Sequence, residues 1–362
     1  MAILNNIKLK NYRNFKNYEI SFDKKLNILF GKNGCGKTNI LEAISLVAKG
    51  RGIRNTNISN LIKKKEDNFL ICNNLEIQNN LFDIKIFTDN RNNKFKKVIN
   101  INDDLSKDSL EFLNQSISYL VFLPEMERLF QASPSFRRNF LDRLIFSGKN
   151  DYNRLINKYK LTLLERNKIL QNNLIDNDWL NQIEKKICLL GLEIYKLRDN
   201  HLNLINNNLN ILKKDHKFQF QLQMKILDNN FDNSLNFDKY LKILKDSHAL
   251  DKQFGGAKIG PHRSDIVAII DNDFDASLLS TGQQKTIVLM ILLAQCYYLV
   301  NYRKTQPILL FDEIVSHLDS YNRQLLLNMI NKFEIQFFLT GTDKDLFSFV
   351  STNSQFYNIN TI

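Results

Sequence analysis

The stretch Leu26-Asn27-Ile28-Leu29-Phe30-Gly31-Lys32-Asn33-Gly34-Cys35-Gly36-Lys37-Thr38-Asn39-Ile40-Leu41 decides the fold. Its apolar start reads as a short buried strand, and Ile40, Leu41, Ile44 and Val47 then recur at helical spacing until Gly50. Between strand and helix, Gly31 opens and Gly36-Lys37-Thr38 closes a loop with the spacing of a phosphate-binding P-loop. A polyphosphate needs several backbone N–H groups turned inward, which glycine allows at little steric cost, and the helix start behind the loop adds its own positive end. Lys37 is placed to reach the β- and γ-phosphates, and the Thr38 hydroxyl to hold a magnesium ion. Gly31, Lys32, Asn33, Gly34, Cys35, Gly36, Lys37, Thr38 and Asn39 are therefore the candidate set for ATP and magnesium.

Ile308-Leu309-Leu310-Phe311-Asp312-Glu313 supplies the second half of such a site: an apolar strand that ends in two carboxylates. In an α/β nucleotide-binding sheet the ligand crevice lies at the strand ends. Asp312 is expected to hold the magnesium ion, directly or through water, and Glu313 to orient and deprotonate the attacking water. Taken alone, the pair is also what an acidic helix start after a buried strand looks like. Leu279-Ser280-Thr281-Gly282-Gln283 precedes an apolar helical run and stands ahead of Asp312 at the spacing of one α/β repeat. It resembles the Leu-Ser-Gly-Gly-Gln signature of the ATP-binding-cassette superfamily, with Thr281 in place of the first glycine. Ser280, Gly282 and Gln283 then face the nucleotide of a second subunit; as a bare pentapeptide, the same residues make a helix N-cap.

The rest of the chain bounds the answer. Its 362 residues allow one large domain or two ordinary ones. The longest apolar run, residues 287–300, is interrupted by Gln295 and falls short of the roughly 20 residues of a membrane span. The N-terminus lacks the pattern of a secretory signal, so a cytoplasmic location is expected. Cys35, Cys72, Cys188 and Cys296 stand far apart, which suggests reduced thiols rather than a zinc ribbon or a disulfide framework. The net charge of +12 fits a polyanionic partner such as nucleic acid, and it fits equally a chain rich in Asn, Lys and Ile throughout.

With only 12 glycines and 4 prolines, their positions mark the turns. Residues 3–10, 18–22, 69–77, 81–87 and 95–101 alternate or run apolar as the strands of an antiparallel sheet do, and residues 117–123 form an apolar strand that stops at Pro124. Between Asp151 and Phe254 there is one glycine and no proline, so this interval is predicted to be mainly helical. Tyr152, Ile156, Tyr159 and Leu163, and then Leu180, Ile183, Ile187, Leu190, Ile194 and Leu197, give two helical seams that predict a hairpin joined near residues 172–178. A strand at 218–226, a helix at 237–244, a loop at 255–261 and a strand at 266–270 follow; the buried helix 284–300, the core strands 308–311 and 335–339 and the crossing helix 321–332 complete the reading.

Three stretches carry a closer resemblance. Leu9-Lys10-Asn11-Tyr12-Arg13-Asn14-Phe15 with the P-loop, Phe122-Leu123-Pro124-Glu125 with Ser133-Pro134-Ser135-Phe136-Arg137-Arg138-Asn139-Phe140-Leu141-Asp142, and Gly260-Pro261-His262-Arg263-Ser264-Asp265 with Ser280-Thr281-Gly282-Gln283-Gln284-Lys285 are similar to the blocks of the RecF family of bacterial DNA replication and repair proteins. The resemblance runs from Leu9 to Phe347. It implies an α/β ABC-ATPase, Rad50-like head: a P-loop core sheet with an antiparallel β subdomain over residues 1–123 and 279–362, and an inserted, mainly helical lobe with a short hairpin over 124–278. It further implies an ATP-dependent homodimer that clamps DNA at single-strand gaps or junctions, slow DNA-stimulated ATP hydrolysis that resets it, RecO and RecR as partners, and RecA loading in recombinational repair and the SOS response. Arg13 joins the nucleotide contacts by this resemblance.

The chain departs from the superfamily pattern in places. Thr340-Gly341-Thr342 stands where the switch histidine is expected, so any γ-phosphate contact there must come from a hydroxyl or from backbone. His317 lies too early for that role, beside the Leu318-Asp319 dimer-contact loop, and reads as a surface or interface residue; Lys285 replaces a frequent arginine. His262 reads as a loop-packing residue. Arg137, Arg138 and Arg143, and the run Lys63-Lys64-Lys65, read as solvated faces or as phosphate contacts. The rival readings are an SMC- or Rad50-type ATPase, which needs far longer arms, the ATPase subunit of a transporter, and a DNA-binding protein with an inactive ATP site.

Overall fold

The computed structural model describes residues 2–23, 25–47, 50–91, 94–172, 176–216, 220–231, 234–271, 273–316, 318–350 and 354–359. The chain divides into two compact units, residues 1–127 with 288–362, and residues 128–287.

The first unit opens with β1 (Ala2–Tyr12) and β2 (Phe15–Ser21), joined by the two-residue turn Arg13-Asn14, then β3 (Leu26–Phe30) and α1 (Lys37–Ser45). β4 (Leu70–Ile77), β5 (Asn80–Arg91) and β6 (Lys94–Ile101) follow and complete an antiparallel sheet of order β2-β1-β4-β5-β6. Alternation sets which face is covered. On β1, Ile7 and Leu9 are buried while Lys8 and Lys10 stay exposed. α2 (Lys107–Ser116), capped by Ser106, leads to β7 (Tyr119–Phe122), which stops at Pro124 because proline has no N–H for a ladder.

The second unit begins with α3 (Pro134–Gly148), α4 (Tyr152–Gln171) and α5 (Asn177–His216). α4 and α5 form the expected hairpin and run antiparallel: Arg166 bonds Glu184 across the near end, and Tyr152 meets Arg198 at the far end. The hairpin's own connection, and the start of the predicted 218–226 strand, fall outside the described residues. β8 (Leu222–Leu227), α6 (Phe237–Asp246), α7 (His248–Phe254), β9 (Asp265–Ile270) and β10 (Phe274–Asp275) complete the unit, with a small antiparallel sheet of order β10-β9-β8. Gly191 explains itself here: a Cβ on it would lie 2.8 Å from Cε1 of Tyr240, so its absence lets α6 close on α5.

α8 (Thr281–Asn301) is apolar on every side from Ile287 to Leu293, and all of those residues are fully buried. β11 (Ile308–Phe311), α9 (Ser320–Lys332), β12 (Phe337–Gly341) and β13 (Gln355–Asn358) return to the first unit. There they build an all-parallel sheet of order β13-β3-β12-β11-β7, covered on both faces, as the unbroken apolar runs of β11 and β12 require. The buried Gln336 side chain joins this sheet to β1, accepting from the Leu4 N–H and donating to the Leu4 carbonyl, both at 2.9 Å. Among the described residues no helix is long and apolar enough to cross a membrane.

Candidate functional site

The parallel sheet places two strand ends side by side, because β3 and β11 both pair with β12. From β3 the chain enters the glycine loop, where Gly36 adopts φ 116° as the N-cap of α1. A Cβ on Gly36 would lie 2.5 Å from the Phe15 ring and 2.8 Å from the Asn14 amide, so both conformation and space demand glycine there. Lys37 is 4% exposed and arches back over the loop, its ammonium donating to the carbonyls of Gly31 (2.6 Å) and Lys32 (3.1 Å). Lys32, Asn33, Gly34 and Cys35 border a cleft of about 670 Å³ whose other side is Lys16, Asn17 and Lys63.

The turn between β1 and β2 braces this loop. Asn14 donates to the Cys35 carbonyl (3.0 Å) and accepts from Asn39 (2.8 Å), which in turn accepts from Arg54 (3.1 Å). Lys63 reaches the Asn14 carbonyl at 2.6 Å. Arg13, at φ 53°, turns its guanidinium onto the fully buried Glu42 of α1, with Nε and Nη2 each 2.9 Å from a carboxylate oxygen, and also holds Thr56 and the Asn60 carbonyl. The Tyr12 hydroxyl donates to the same carboxylate at 3.3 Å. Arg13 therefore acts here on the helix behind the loop. Asn14 lies inside the Leu9–Phe15 block of the sequence, but its bracing role, and those of Glu42 and Arg54, show only in the geometry of the turn.

Asp312 and Glu313 follow β11. Asp312 is 3% exposed, and Thr38 Oγ1 lies 2.8 and 3.0 Å from its two oxygens. Thr340, fully buried at the end of β12, donates to Asp312 Oδ1 (2.7 Å), and its oxygen accepts the Glu313 N–H (2.8 Å). The Thr340 hydroxyl, one of the two in this stretch, is thus committed to the Asp312 carboxylate and the Glu313 backbone. Glu313 sits at φ 49°, a strained setting for a non-glycine residue of the kind that clusters at working sites. Its carboxylate bonds to no described residue. His317 lies outside the described residues.

Magnesium fits the donors at this point. Thr38 and Asp312 give a hydroxyl and a carboxylate side by side, a partial shell that phosphate oxygens and water complete in octahedral sites. Among the described residues no three His, Cys, Asp or Glu side chains converge on one position, so the protein supplies no closed cage of its own.

The signature-like loop belongs to the second unit. Ser280 and Gln283 form a capping box: Gln283 N–H points to Ser280 Oγ (3.4 Å), and Gln283 Oε1 accepts from the Ser280 N–H (3.1 Å) and hydroxyl (2.9 Å). Residues 280–283 are exposed, whereas Gln284 turns inward to the Phe130 N–H and the Leu279 carbonyl. This N-cap leaves an open helix start facing outward.

The basic residues are partly corrected by the structure. Arg137 is neither solvated nor free for a phosphate: it makes a two-pronged pair with Asp265 at 2.7 and 2.5 Å and donates to the carbonyls of Phe130 and Ala132. Arg138 bonds the Ser264 carbonyl at 2.6 Å, while Arg143 is exposed. His262 packs its loop, bonding Tyr159 and the Ala257 carbonyl.

The family described as RecF/RecN/SMC N terminal domain matches residues 3–361. The DNA replication and repair protein RecF of Rickettsia felis is 34% identical over 346 residues, covering 94% of this chain and 93% of the relative. That of Rickettsia prowazekii is 35% identical over 349 residues, covering 94% and 95%. Among solved structures, the recombination mediator protein RecF-ATPrS of the RecFOR pathway superposes with a TM-score of 0.85 at 26% identity, over 99% of this chain and 97% of that one. The corresponding RecF-ATP structure gives 0.83 at 27%, over 97% and 94%. An Smc head from Pyrococcus furiosus, bound to part of ScpA, gives 0.52 at 17% over 97% and 92%, a likeness of fold alone.

Proposed function

The chain belongs to the RecF/RecN/SMC N-terminal-domain family, and within it to the RecF proteins, with the ABC-ATPase head fold; from that premise we propose that it is an ATP-operated DNA clamp of replication and repair. The observation that carries the reading is the cluster of Thr38, Asp312, Thr340 and Glu313 at the ends of adjacent parallel strands, beside a P-loop whose lysine is in place.

In this reading the carbonyls of Gly31 and Lys32 give Lys37 up to the β- and γ-phosphates, while inward N–H groups of residues 31–39 take the remaining oxygens. Magnesium, when bound between Thr38 and Asp312, neutralises phosphate charge. Glu313, held at its backbone by Thr340, orients a water molecule and takes its proton as the water oxygen bonds to the γ-phosphorus and the bond to the β,γ-bridging oxygen breaks. Arg13 keeps α1 in position through Glu42. Ser280, Gly282 and Gln283 of a second copy close over the same triphosphate, so that ATP joins two subunits and its hydrolysis releases them.

Closure creates the DNA-binding state, at gapped or junction DNA in the cytoplasm, with RecO and RecR as partners and RecA loading as the outcome. The support is the RecF relatives, one of which is described as a mediator of the RecFOR pathway, together with the +12 charge. The test is DNA affinity with and without ATP, in the wild type and in Lys37→Met. ATP should tighten wild-type binding and leave Lys37→Met unchanged; equal affinities in all four cases would remove the switch.

A further inference from the structure

The second unit holds a cavity of about 260 Å³ that the nucleotide chemistry does not use. Three helices and one loop enclose it: Arg138 and Asp142 come from α3, Tyr159 and Lys160 from α4, Arg198 from α5, and His262 from the loop before β9.

The charges around it do not balance. Arg198 is buried and pairs with Asp142 through Nε and Nη2, both at 2.9 Å, while the Tyr152 hydroxyl donates to the same carboxylate at 2.6 Å. That carboxylate accepts three hydrogen bonds, and its charge is offset by Arg198. Asp265 is likewise taken by Arg137. Arg138 and Lys160 then face the cavity, and neither forms an ion pair with any described residue. Only one guanidinium nitrogen of Arg138 has a partner there, the Ser264 carbonyl. Arg263 stands beside the loop, bonded through Nε to the Ala257 carbonyl at 3.2 Å.

His262 does not supply a balancing proton switch. Its Nε2 faces the Ala257 carbonyl at 2.9 Å, which can only accept, so Nε2 carries the proton and Nδ1 accepts from the Tyr159 hydroxyl. Both ring nitrogens are occupied with the ring neutral. Burial, and after it the neighbouring Arg198, lowers the Arg138 pKa, against the pull of Asp265 and Asp142.

We propose that this cavity binds a phosphoryl anion, the dianionic end of a phosphate monoester or free phosphate, held by the Arg138 fork and the Lys160 ammonium. An arginine fork matches two phosphate oxygens at once, and the lysine adds a mobile point charge at the mouth. The volume holds a phosphate group together with its hydration waters, at about 30 Å³ for each water. The two sources, a free anion and the terminal phosphate of a DNA strand, share this chemistry.

The test uses the full chain carrying Lys37→Met, so that the P-loop lysine adds nothing, in equilibrium dialysis against radiolabelled inorganic phosphate. One saturable phosphate per chain is expected, weakened at least ten-fold by Arg138→Gln and also by Lys160→Gln. Lys160 lies on the exposed side of α4 and bonds no described side chain, so its variant keeps the fold if Arg138→Gln does not. Displacement by a short oligonucleotide with a 5′-phosphate, and not by its 5′-hydroxyl form, supports the site with a DNA end as occupant. Displacement by neither supports it with a free anion. Absence of saturable binding in the Lys37→Met chain, or binding indifferent to Lys160→Gln, overturns the proposal.

Discussion

Thr340 shows how much one buried hydroxyl can set. It gives its proton to Asp312 and takes the Glu313 N–H, so a single side chain ties the Asp312 carboxylate to the backbone of Glu313. Thr340→Val keeps the shape but leaves the Glu313 N–H unpaired and Asp312 short of a donor. ATP turnover should fall about 10–100-fold, the usual size for a group that orients a ligand of the reacting centre, with nucleotide binding largely kept. Single-turnover phosphate release measures this, and an unchanged rate would mean that the alignment is immaterial. The role was hidden in the sequence because Thr340 and Asp312 are separated by a whole crossover and meet only once β11 and β12 pair. The strand, glycine loop and helix over residues 26–45, in contrast, were legible, since one contiguous stretch carries all three.

His262 gives a second residue-scale prediction. Burial lowers its imidazole to about 4, below the ordinary 6.5, so the unfolded chain binds a proton that the folded one refuses between those values. Stability contributed here is complete above pH 6.5 and is lost as the pH falls towards 4. Urea unfolding of the wild type against His262→Gln at pH 7, 5.5 and 4.5 isolates this slope from the carboxylates, which titrate in both. Parallel pH dependences in the two proteins would contradict the assignment.

At the scale of elements, the periodicity of α4 and α5 predicted a hairpin but not what fastens it. Arg166 is 1% exposed and joins α4 to Glu184 on α5 (2.8 Å), to Asp251 on α7 (2.7 Å) and to the Leu244 carbonyl (2.9 Å). A buried arginine serving two carboxylates cannot be read from a helical wheel, where it counts as a polar interruption. The same blindness made Arg137 look like a surface cation: its partner Asp265 lies in another element, and only folding brings the two together. Arg166→Met would leave Asp251 buried without a cation and Glu184 with His248 alone, and should cost about 3–5 kcal/mol. The single tryptophan, Trp179, sits on α5, so its fluorescence in a urea titration follows this unit directly. Adding Glu184→Leu and Asp251→Leu to Arg166→Met should recover much of the loss, because well-packed apolar side chains replace a buried ion network at little net cost. A triple variant no more stable than Arg166→Met would show that packing, and not the stranded charge, sets the penalty.

At the scale of the whole molecule, the proposed clamp requires that a site on one unit act as a DNA switch. Ser280, Thr281, Gly282 and Gln283 are exposed, and the capping box fixes them as a rigid helix start pointing outward. A helix start of that kind is suited to an anion carried by another molecule. Ser280→Arg places a long cation there while leaving the P-loop, Asp312 and Glu313 untouched. A single chain should still bind ATP, but ATP-dependent association in sedimentation should disappear, and turnover should fall with it. DNA binding adds an independent sign. If the closed pair grips six or more backbone phosphates, its affinity should drop by about 10³-fold or more between 50 and 200 mM salt. The open chain, touching fewer phosphates, should show a shallower slope, so Ser280→Arg in the presence of ATP should reproduce the ATP-free wild-type slope. Were Ser280→Arg to keep both full turnover and the steep slope, the triphosphate would be hydrolysed within one chain, and the charge of +12 would act without any clamp.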